Sequence, residues 1–167
     1  MNVHNPATAN MFNGDLTPSA EATFAEIRQM KCNEIIVHGS LAAMHTRQCP
    51  VGLYAAEKSG RHCKLRGATG YSLKDEKGVK FGIATHCNEC FATILNSKPI
   101  FMLDKLEQIP ENCEFVRIML WDEDMGEAFV LASAYKDALA GRETAEMLRV
   151  RADVEKSGHT FGYYFGR

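Results

Sequence analysis

The alternation of apolar and polar positions over residues 1–40 predicts a strand, a helix and a second strand. Residues 1–5 form a short extended run, and Ser19 is a candidate N-cap for a helix that ends near Asn33. Within that helix the apolar side chains recur at intervals close to 3.6 residues, at Phe24, Ile27 and Cys32. The β-branched run 34–38 is typical of a buried parallel strand, so this segment favours an α/β architecture.

A change of pattern sets residues 41–98 apart from the segments on either side. Residues 41–70 are rich in Gly, Cys, His and basic side chains and show little periodicity. Two strand-like runs on either side of a polar turn predict a β-hairpin, with strands over 71–73 and 79–85. The apolar run 91–95 that follows is either helical or extended. The whole segment is predicted to be a cysteine-rich insertion that contains a β-hairpin.

Residues 99–167 predict a closing βα segment and a C-terminal tail. The apolar run within 113–121 predicts a buried strand. A helix then runs to about Leu139, and its candidate N-caps are Asp122 and Asp124. Gly141 is a candidate for the residue that ends this helix.

Composition limits the class of protein. The chain has 167 residues, 46% of them hydrophobic, which is about one ordinary domain. A net charge of −2 argues against a broad electrostatic grip on nucleic acid. No apolar run approaches the roughly 18 residues that span a bilayer, and the N-terminus lacks the pattern of a secretory signal. We therefore expect no membrane insertion and a cytoplasmic location, where thiols stay reduced.

Four of the six cysteines fall in one stretch of the chain, at Cys49, Cys63, Cys87 and Cys90. The last two form a Cys-x-x-Cys pair, a spacing that aims two thiolates at one metal ion or cluster. The sequence therefore predicts a shared metal site, with iron–sulfur and zinc both open, although one or two of these cysteines could instead be buried apolar residues. Cys32 and Cys113 lie in apolar periodic segments, and we expect both in the core.

Three further side chains are candidates for binding a substrate. His38 ends the predicted strand, on the side where α/β folds place ligands, or else it caps the strand by bonding to backbone. His45 and Arg47 come just before Cys49, where each either faces a substrate or solvates a loop. The sequence contains no Gly-rich phosphate loop and no evident order of serine, histidine and aspartate.

Residues 34–41 and 49–51 resemble the signature of peptidase family U32, the collagenase-like peptidases. The matching positions are Glu34, Gly39, Ser40, Leu41, Cys49 and Val51. Three positions depart from the signature: Ile36 replaces an aromatic residue, Ala42 a cysteine and Arg47 a glycine. Further segments resemble the family in the same order along the chain, at 17–21, 71–81, 90–99, 115–118 and 158–159.

The resemblance implies a fold and a partner. It covers nearly the whole chain but only the later half of the family's domain, which is a TIM-like (β/α) barrel. The implied fold is a partial TIM-like barrel with a cysteine-bearing β-hairpin insertion. A half barrel leaves open sheet edges and an apolar inner face, so a second copy or another subunit is the implied partner.

The resemblance also implies two enzymatic functions. Some members are labelled peptidases, and others take part in hydroxylating RNA or quinone precursors, several of them with a 4Fe–4S cluster on four cysteines. The second group implies cluster ligands at Cys49, Cys63, Cys87 and Cys90. It also implies that the substrate lies near His38, His45 and Arg47. A metal-dependent peptidase that cleaves a peptide substrate and a zinc-stabilised interaction module are the alternatives.

Overall fold

Two sheets, each in its own unit of the chain, carry the strands of this protein. The computed structural model describes residues 3–59 and 70–166, and for 55–59 the backbone alone. Unit 1 combines Met1–Gly39 with Lys98–Arg167, and unit 2 is Ser40–Ser97. The predicted α/β class is confirmed as a mixed α/β fold, and the described residues form no closed barrel. Among them no helix has both the length and the apolar character needed to cross a membrane.

Unit 1 holds a three-stranded sheet and most of the helical residues. Its elements, numbered in chain order with those of unit 2, are α1 (Pro6–Ala9), α2 (Phe24–Ile27), β1 (Glu34–Gly39), β6 (Ile100–Phe101), a 3₁₀ segment (Leu103–Gln108), β7 (Phe115–Ile118), α4 (Met125–Leu139) and α5 (Ala145–Ser157). The strand order is β6-β1-β7. The central strand β1 runs parallel to β7 and antiparallel to β6. Its side chains Ile35 and Val37 are almost completely buried, as the sequence predicts for this strand.

The strand predicted over 113–121 is shorter and less buried than expected. It covers only Phe115–Ile118, and Phe115 is 52% exposed. The reason is its position, because β7 lies at the edge of the sheet formed by the described residues and pairs there with β1 alone. An apolar sequence indicates that a strand can be buried. Whether it is buried depends on the strands and helices that pack against it.

The first predicted helix begins later and ends earlier than expected. Thr23, not Ser19, is the N-cap of α2, and it forms a capping box with Glu26. The Ser19 hydroxyl instead accepts from the Glu21 amide at 3.2 Å within a turn, and the Ser19 amide donates to the Val3 carbonyl at 2.8 Å, a contact that the sequence cannot reveal. The helix ends after Ile27, so Cys32 lies beyond it. Residues 3 and 4 of the strand predicted over 1–5 belong to no strand, and residues 1 and 2 lie outside the described part.

The long helix α4 agrees with the sequence at both ends. Asp124 is the N-cap and forms a capping box with Glu127. Gly141 follows the C-cap with φ +68°, the left-handed conformation that glycine adopts without strain. The tail after it forms α5, whose residues Met147, Val150 and Val154 are buried at helical spacing.

Gly39 closes β1 at a position where only glycine fits. Its φ is +115°, and a Cβ placed there would overlap the Met119 carbonyl oxygen and lie 2.7 Å from the Met119 Cβ. Since the first obstacle is backbone rather than a flexible side chain, the contact cannot be relieved by a rotamer change. Gly39 therefore lets β1 and the chain after β7 approach closely.

Unit 2 is an antiparallel sheet with one helix. Its elements are β2 (Ala42–Thr46), α3 (Pro50–Ser59), β3 (Ser72–Lys74), β4 (Lys80–His86) and β5 (Phe91–Leu95), and the sheet order is β2-β5-β4-β3. The predicted hairpin is confirmed as β3 and β4, and the run 91–95 is extended. The sequence did not predict β2 or α3. β2 is mostly exposed, so it lacks the apolar alternation that marks a half-buried strand.

Candidate functional site

A cavity of about 690 Å³ in unit 2 brings together three of the predicted site residues. Its walls are the end of β2 and the turn that leads into β5, with lining residues His45, Thr46, Arg47, Glu89, Cys90 and Phe91. The two walls are joined because β2 pairs with β5, with Thr46 opposite Ala92. The sheet thus places an imidazole, a guanidinium and a thiol at one opening.

A buried hydroxyl connects two histidines across three neighbouring strands. Thr93 on β5 is 1% exposed, and its Oγ1 lies 3.0 Å from His45 Nδ1 on β2 and 3.1 Å from His86 Nε2 on β4. A threonine hydroxyl has one proton to donate, so at least one of the two rings donates an N–H to it. Thr93 therefore fixes the orientation of both rings and leaves Nε2 of His45 for a ligand.

The Cys-x-x-Cys pair lies on the tight turn between β4 and β5. The Glu89 amide donates to the His86 carbonyl at 3.2 Å, and the His86 ring stacks on Phe91 with centroids 4.0 Å apart. Cys90 is exposed and has φ +53°, a left-handed conformation that is uncommon outside glycine. Cys87 is half-buried, with its sulfur 3.6 Å from Thr85 Oγ1. The turn thus holds both thiols of the pair on a short, internally bonded segment.

Cys49 lies on a different element of unit 2, immediately before α3. Its Sγ accepts a hydrogen bond from the Gly52 amide at 3.5 Å. Cys63 is outside the described residues. Within the described ranges, no three His, Cys, Asp or Glu side chains are grouped closely enough to hold a metal ion. The thiols themselves are the donors that iron–sulfur clusters and structural zinc both use, so the donor chemistry fits either group.

The two remaining cysteines belong to unit 1. Cys32 is buried, as predicted, whereas Cys113 is only half-buried. Burial raises the pKa of the Cys32 thiol, and burial together with the neighbouring Cys32 raises the pKa of Cys113 to about 12. The Asn112 amide donates to Cys32 Sγ at 3.4 Å. Both thiols are therefore neutral at ordinary pH, as expected for side chains that pack rather than react.

His38 is also in unit 1, so the three predicted substrate-binding residues divide between the two units. It lies in β1 and is 7% exposed. Burial lowers its pKa to about 4, against a weaker opposing effect of Glu123. Its Nδ1 is 3.3 Å from the Tyr135 hydroxyl, and its ring meets those of Tyr135 and Phe101 edge to face.

Sequence reasoning missed Thr93 and Glu89 as members of the unit 2 site. Thr93 sits inside the apolar run 91–95, where a threonine is an ordinary strand residue. Only the strand register, with His45 opposite Thr93, shows that it bridges two rings. Glu89 lies inside the Cys-x-x-Cys pair, so its position next to Cys90 was a signal that could have been used.

The chain was compared with family models, curated proteins and solved structures. No family model, no curated protein and no solved structure matches the chain.

Proposed function

We propose that this chain is an iron–sulfur enzyme or enzyme subunit, of the branch of peptidase family U32 that hydroxylates RNA or quinone precursors. The observation that carries the proposal is the unit 2 cavity, in which Cys90 of the Cys-x-x-Cys pair shares an opening with His45 and Arg47. The family resemblance supplies the class of reaction. In this proposal the fold is a partial TIM-like barrel, and the protein works in a reducing, cytoplasmic setting.

The proposed cluster ligands are Cys49, Cys63, Cys87 and Cys90. When bound, a 4Fe–4S cluster supplies one-electron chemistry. The short turn supports this assignment because it presents Cys87 and Cys90 from one segment. Four thiolates would fill the coordination of a single zinc ion and leave no position for an attacking water, which favours the iron–sulfur enzyme over a zinc peptidase.

The other residues of the cavity bind and orient the substrate. The exposed Arg47 guanidinium pairs with an anionic group, such as the phosphate of an RNA substrate. His45 is held through its Nδ1 by Thr93, so its Nε2 bonds to a polar group of the substrate. Glu89 on the opposite wall disfavours a second anionic group at that side of the opening.

The test is the metal content of protein purified without oxygen. We expect iron and sulfide in the wild-type chain, loss of most of the iron in Cys49→Ala and Cys90→Ala, and unchanged iron in the matched control Cys113→Ala. Colourless protein with no iron after reconstitution rejects the proposal. One zinc and no iron, with unfolding on chelation, would identify the zinc-stabilised interaction module instead. Metal-dependent cleavage of gelatin, lost on a point substitution, would identify the peptidase.

The proposed partner is a second copy of the chain or another subunit. The exposed large apolar side chains of unit 1 include Phe115 at 52%, Met125 at 86% and Phe129 at 72%. These three lie on the edge strand β7 and at the start of α4, and apolar exposure of this kind is typical of an interface. Light scattering on the purified chain tests this, and a stable monomer that binds no hydrophobic dye would contradict it.

A further inference from the structure

A second cavity, of about 190 Å³, lies entirely within unit 1 and contains His38. Its inner wall is apolar and buried, formed by Leu131 of α4 together with Val150 and Val154 of α5. His38 is the one polar side chain of the lining that is more than nine-tenths buried. At roughly 30 Å³ for each water-sized group, the volume suits a ligand of about six non-hydrogen atoms.

The hydrogen bonds of Tyr135 determine which nitrogen of His38 carries its proton. The Tyr135 hydroxyl donates to the Val37 carbonyl at 2.9 Å and accepts from the Met102 amide at 3.3 Å. Its single proton is therefore used, and the contact of 3.3 Å to His38 Nδ1 requires that Nδ1 donate. The pKa of about 4 keeps the ring neutral, so Nε2 retains its lone pair.

Nε2 of His38 is thus an acceptor with no hydrogen-bond partner among the described residues, on a ring that is 7% exposed and lines the cavity. Because the ring lines the cavity, a ligand that donates an O–H or N–H there satisfies this acceptor. The inner end of a ligand is therefore expected to carry a hydrogen-bond donor.

The rim of the same cavity is acidic. Three exposed carboxylates line it, those of Glu123, Glu127 and Asp153, against the guanidinium of Arg149. Lys156 Nζ lies 3.6 Å from Asp153 Oδ1 and offsets part of its charge, so Glu123 and Glu127 contribute most of the negative field. Glu123 and Glu127 are held in place, since each accepts a hydrogen bond from backbone, Glu123 from the Trp121 amide and Glu127 from the Asp124 amide. The outer end of a ligand therefore meets a net negative field.

We propose that this cavity binds a small aliphatic cation that also carries a hydroxyl, that is, an amino alcohol. The hydroxyl donates to His38 Nε2, the short alkyl chain packs against Leu131 and Val150, and the ammonium lies among the rim carboxylates. This proposal is independent of the iron–sulfur site in unit 2, because every residue that carries it belongs to unit 1.

Four probes of matched length separate the two ends of the site. 4-Aminobutan-1-ol has both groups, butylammonium lacks the hydroxyl, butane-1,4-diol lacks the charge, and 4-hydroxybutyrate reverses it. Titration of the full chain, followed by ¹⁵N NMR of the labelled histidines, should show saturable binding of the amino alcohol and a shift of His38 Nε2. We expect butylammonium and the diol to bind about tenfold more weakly, since each lacks one favourable contact. The hydroxy acid should bind more weakly still.

Two sets of variants assign each end. His38→Phe should lower the affinity for the amino alcohol about tenfold and leave that for butylammonium unchanged. The pair Glu123→Gln with Glu127→Gln keeps the hydrogen bonds to backbone, and should weaken both ammonium ligands while leaving the diol unchanged. Glu111→Gln, an exposed carboxylate of unit 1 outside the cavity, is the matched control and should change nothing.

Several results would overturn the proposal. Absence of saturable binding for all four probes rejects the site. If 4-hydroxybutyrate bound most tightly, the charge of Arg149 would outweigh that of the rim carboxylates, and the ligand of the cavity would be an anion. Should His38→Phe not fold, the glutamine pair still decides the matter, because unchanged affinity for both ammonium ligands in that pair contradicts an acidic rim that holds a cation.

Discussion

The two units each bury one polar side chain on a central strand, and they use it in opposite ways. In unit 1 the buried group is His38, which bonds through one nitrogen to Tyr135 and keeps the other for the cavity. In unit 2 it is the Thr93 hydroxyl, which is shared by two histidines, of which His45 is exposed and His86 half-buried. In unit 1 the strand buries the side chain that faces the cavity, whereas in unit 2 it buries only the side chain that orients the histidines.

The comparison also predicts unequal costs of mutation. Tyr135 bonds to Val37 and Met102, which are both 0% exposed, so water does not readily replace its hydroxyl there. The histidines bonded to Thr93 in unit 2 are not fully buried, so water can replace the hydroxyl. Substitutions in unit 1 should therefore be the more destabilising.

The largest effect is expected at Gly39. Gly39→Ala forces a side chain onto φ +115° and into the Met119 carbonyl, so the free energy of unfolding should fall by about 3 kcal/mol or more. Urea unfolding measures it. The control is Gly141→Ala, which has φ +68° but open space around the added Cβ and should cost only about 1 kcal/mol. Equal costs at the two positions would show that the contact with Met119 does not matter.

A pH dependence should follow from His38. The pKa in the folded protein is about 4, below the usual 6.5, because the charged ring is disfavoured by burial. The unfolded chain therefore binds the proton first, and its uptake destabilises the fold as the pH falls from about 6.5 to about 4. Over that range we expect a loss of up to about 3 kcal/mol in the free energy of unfolding.

His38→Phe provides the comparison for that measurement, since its unfolding should lack this component between pH 6.5 and 4. The two proteins share every ionisable group except the imidazole of residue 38, so the difference between their curves reports mainly on His38. Parallel curves for the two proteins would contradict a depressed pKa at His38.

Loss of the Tyr135 hydroxyl should have the next largest effect. Tyr135→Phe keeps the ring in the core but removes one bond each to Met102, Val37 and His38. The Met102 amide still donates to the Val37 carbonyl at 3.0 Å, so the loss is smaller than that of three separate bonds. We expect a loss of about 2 kcal/mol, measured by thermal or urea unfolding. A loss below the error of the measurement would mean that the three groups find other partners. Tyr164→Phe, which removes a single bond to the Ile36 carbonyl, is the control with the smaller expected cost.

The smallest effect on stability is expected at Thr93. Thr93→Val keeps the shape of the side chain and removes the hydroxyl, and the free energy of unfolding should fall by about 1 kcal/mol or less. Substrate binding in the proposed cavity should be affected more than stability, because His45 loses its fixed orientation. A loss of stability as large as that of Tyr135→Phe would remove the contrast between the two units.

The elements that the sequence predicted correctly are those set by nearby residues. β1 is marked by its β-branched run, and α4 by an acidic cap and Gly141. The elements that were wrong or missed depend on distant partners. Ser19 lies in a turn whose amide bonds to the distant Val3, β7 lies at a sheet edge, and β2 is a strand because it pairs with β5.

The same distinction holds for the sites. Cys87 and Cys90 share a turn because they lie close together in the sequence, which is a local property, while the metal site that their spacing indicates stays a prediction. The role of Thr93, the tautomer of His38 and the acidic rim around it all arise from contacts between elements remote in sequence, such as His38 with Tyr135. No local pattern carries that information.

The left-handed backbone of Cys90 has a consequence for protein engineering. At φ +53° a glycine would relieve roughly 1 kcal/mol of strain that any other side chain imposes. Selection for thermal stability alone would therefore favour Cys90→Gly and discard the thiol at the mouth of the cavity. At this turn glycine gives the most stable backbone, whereas cysteine is needed to keep the thiol.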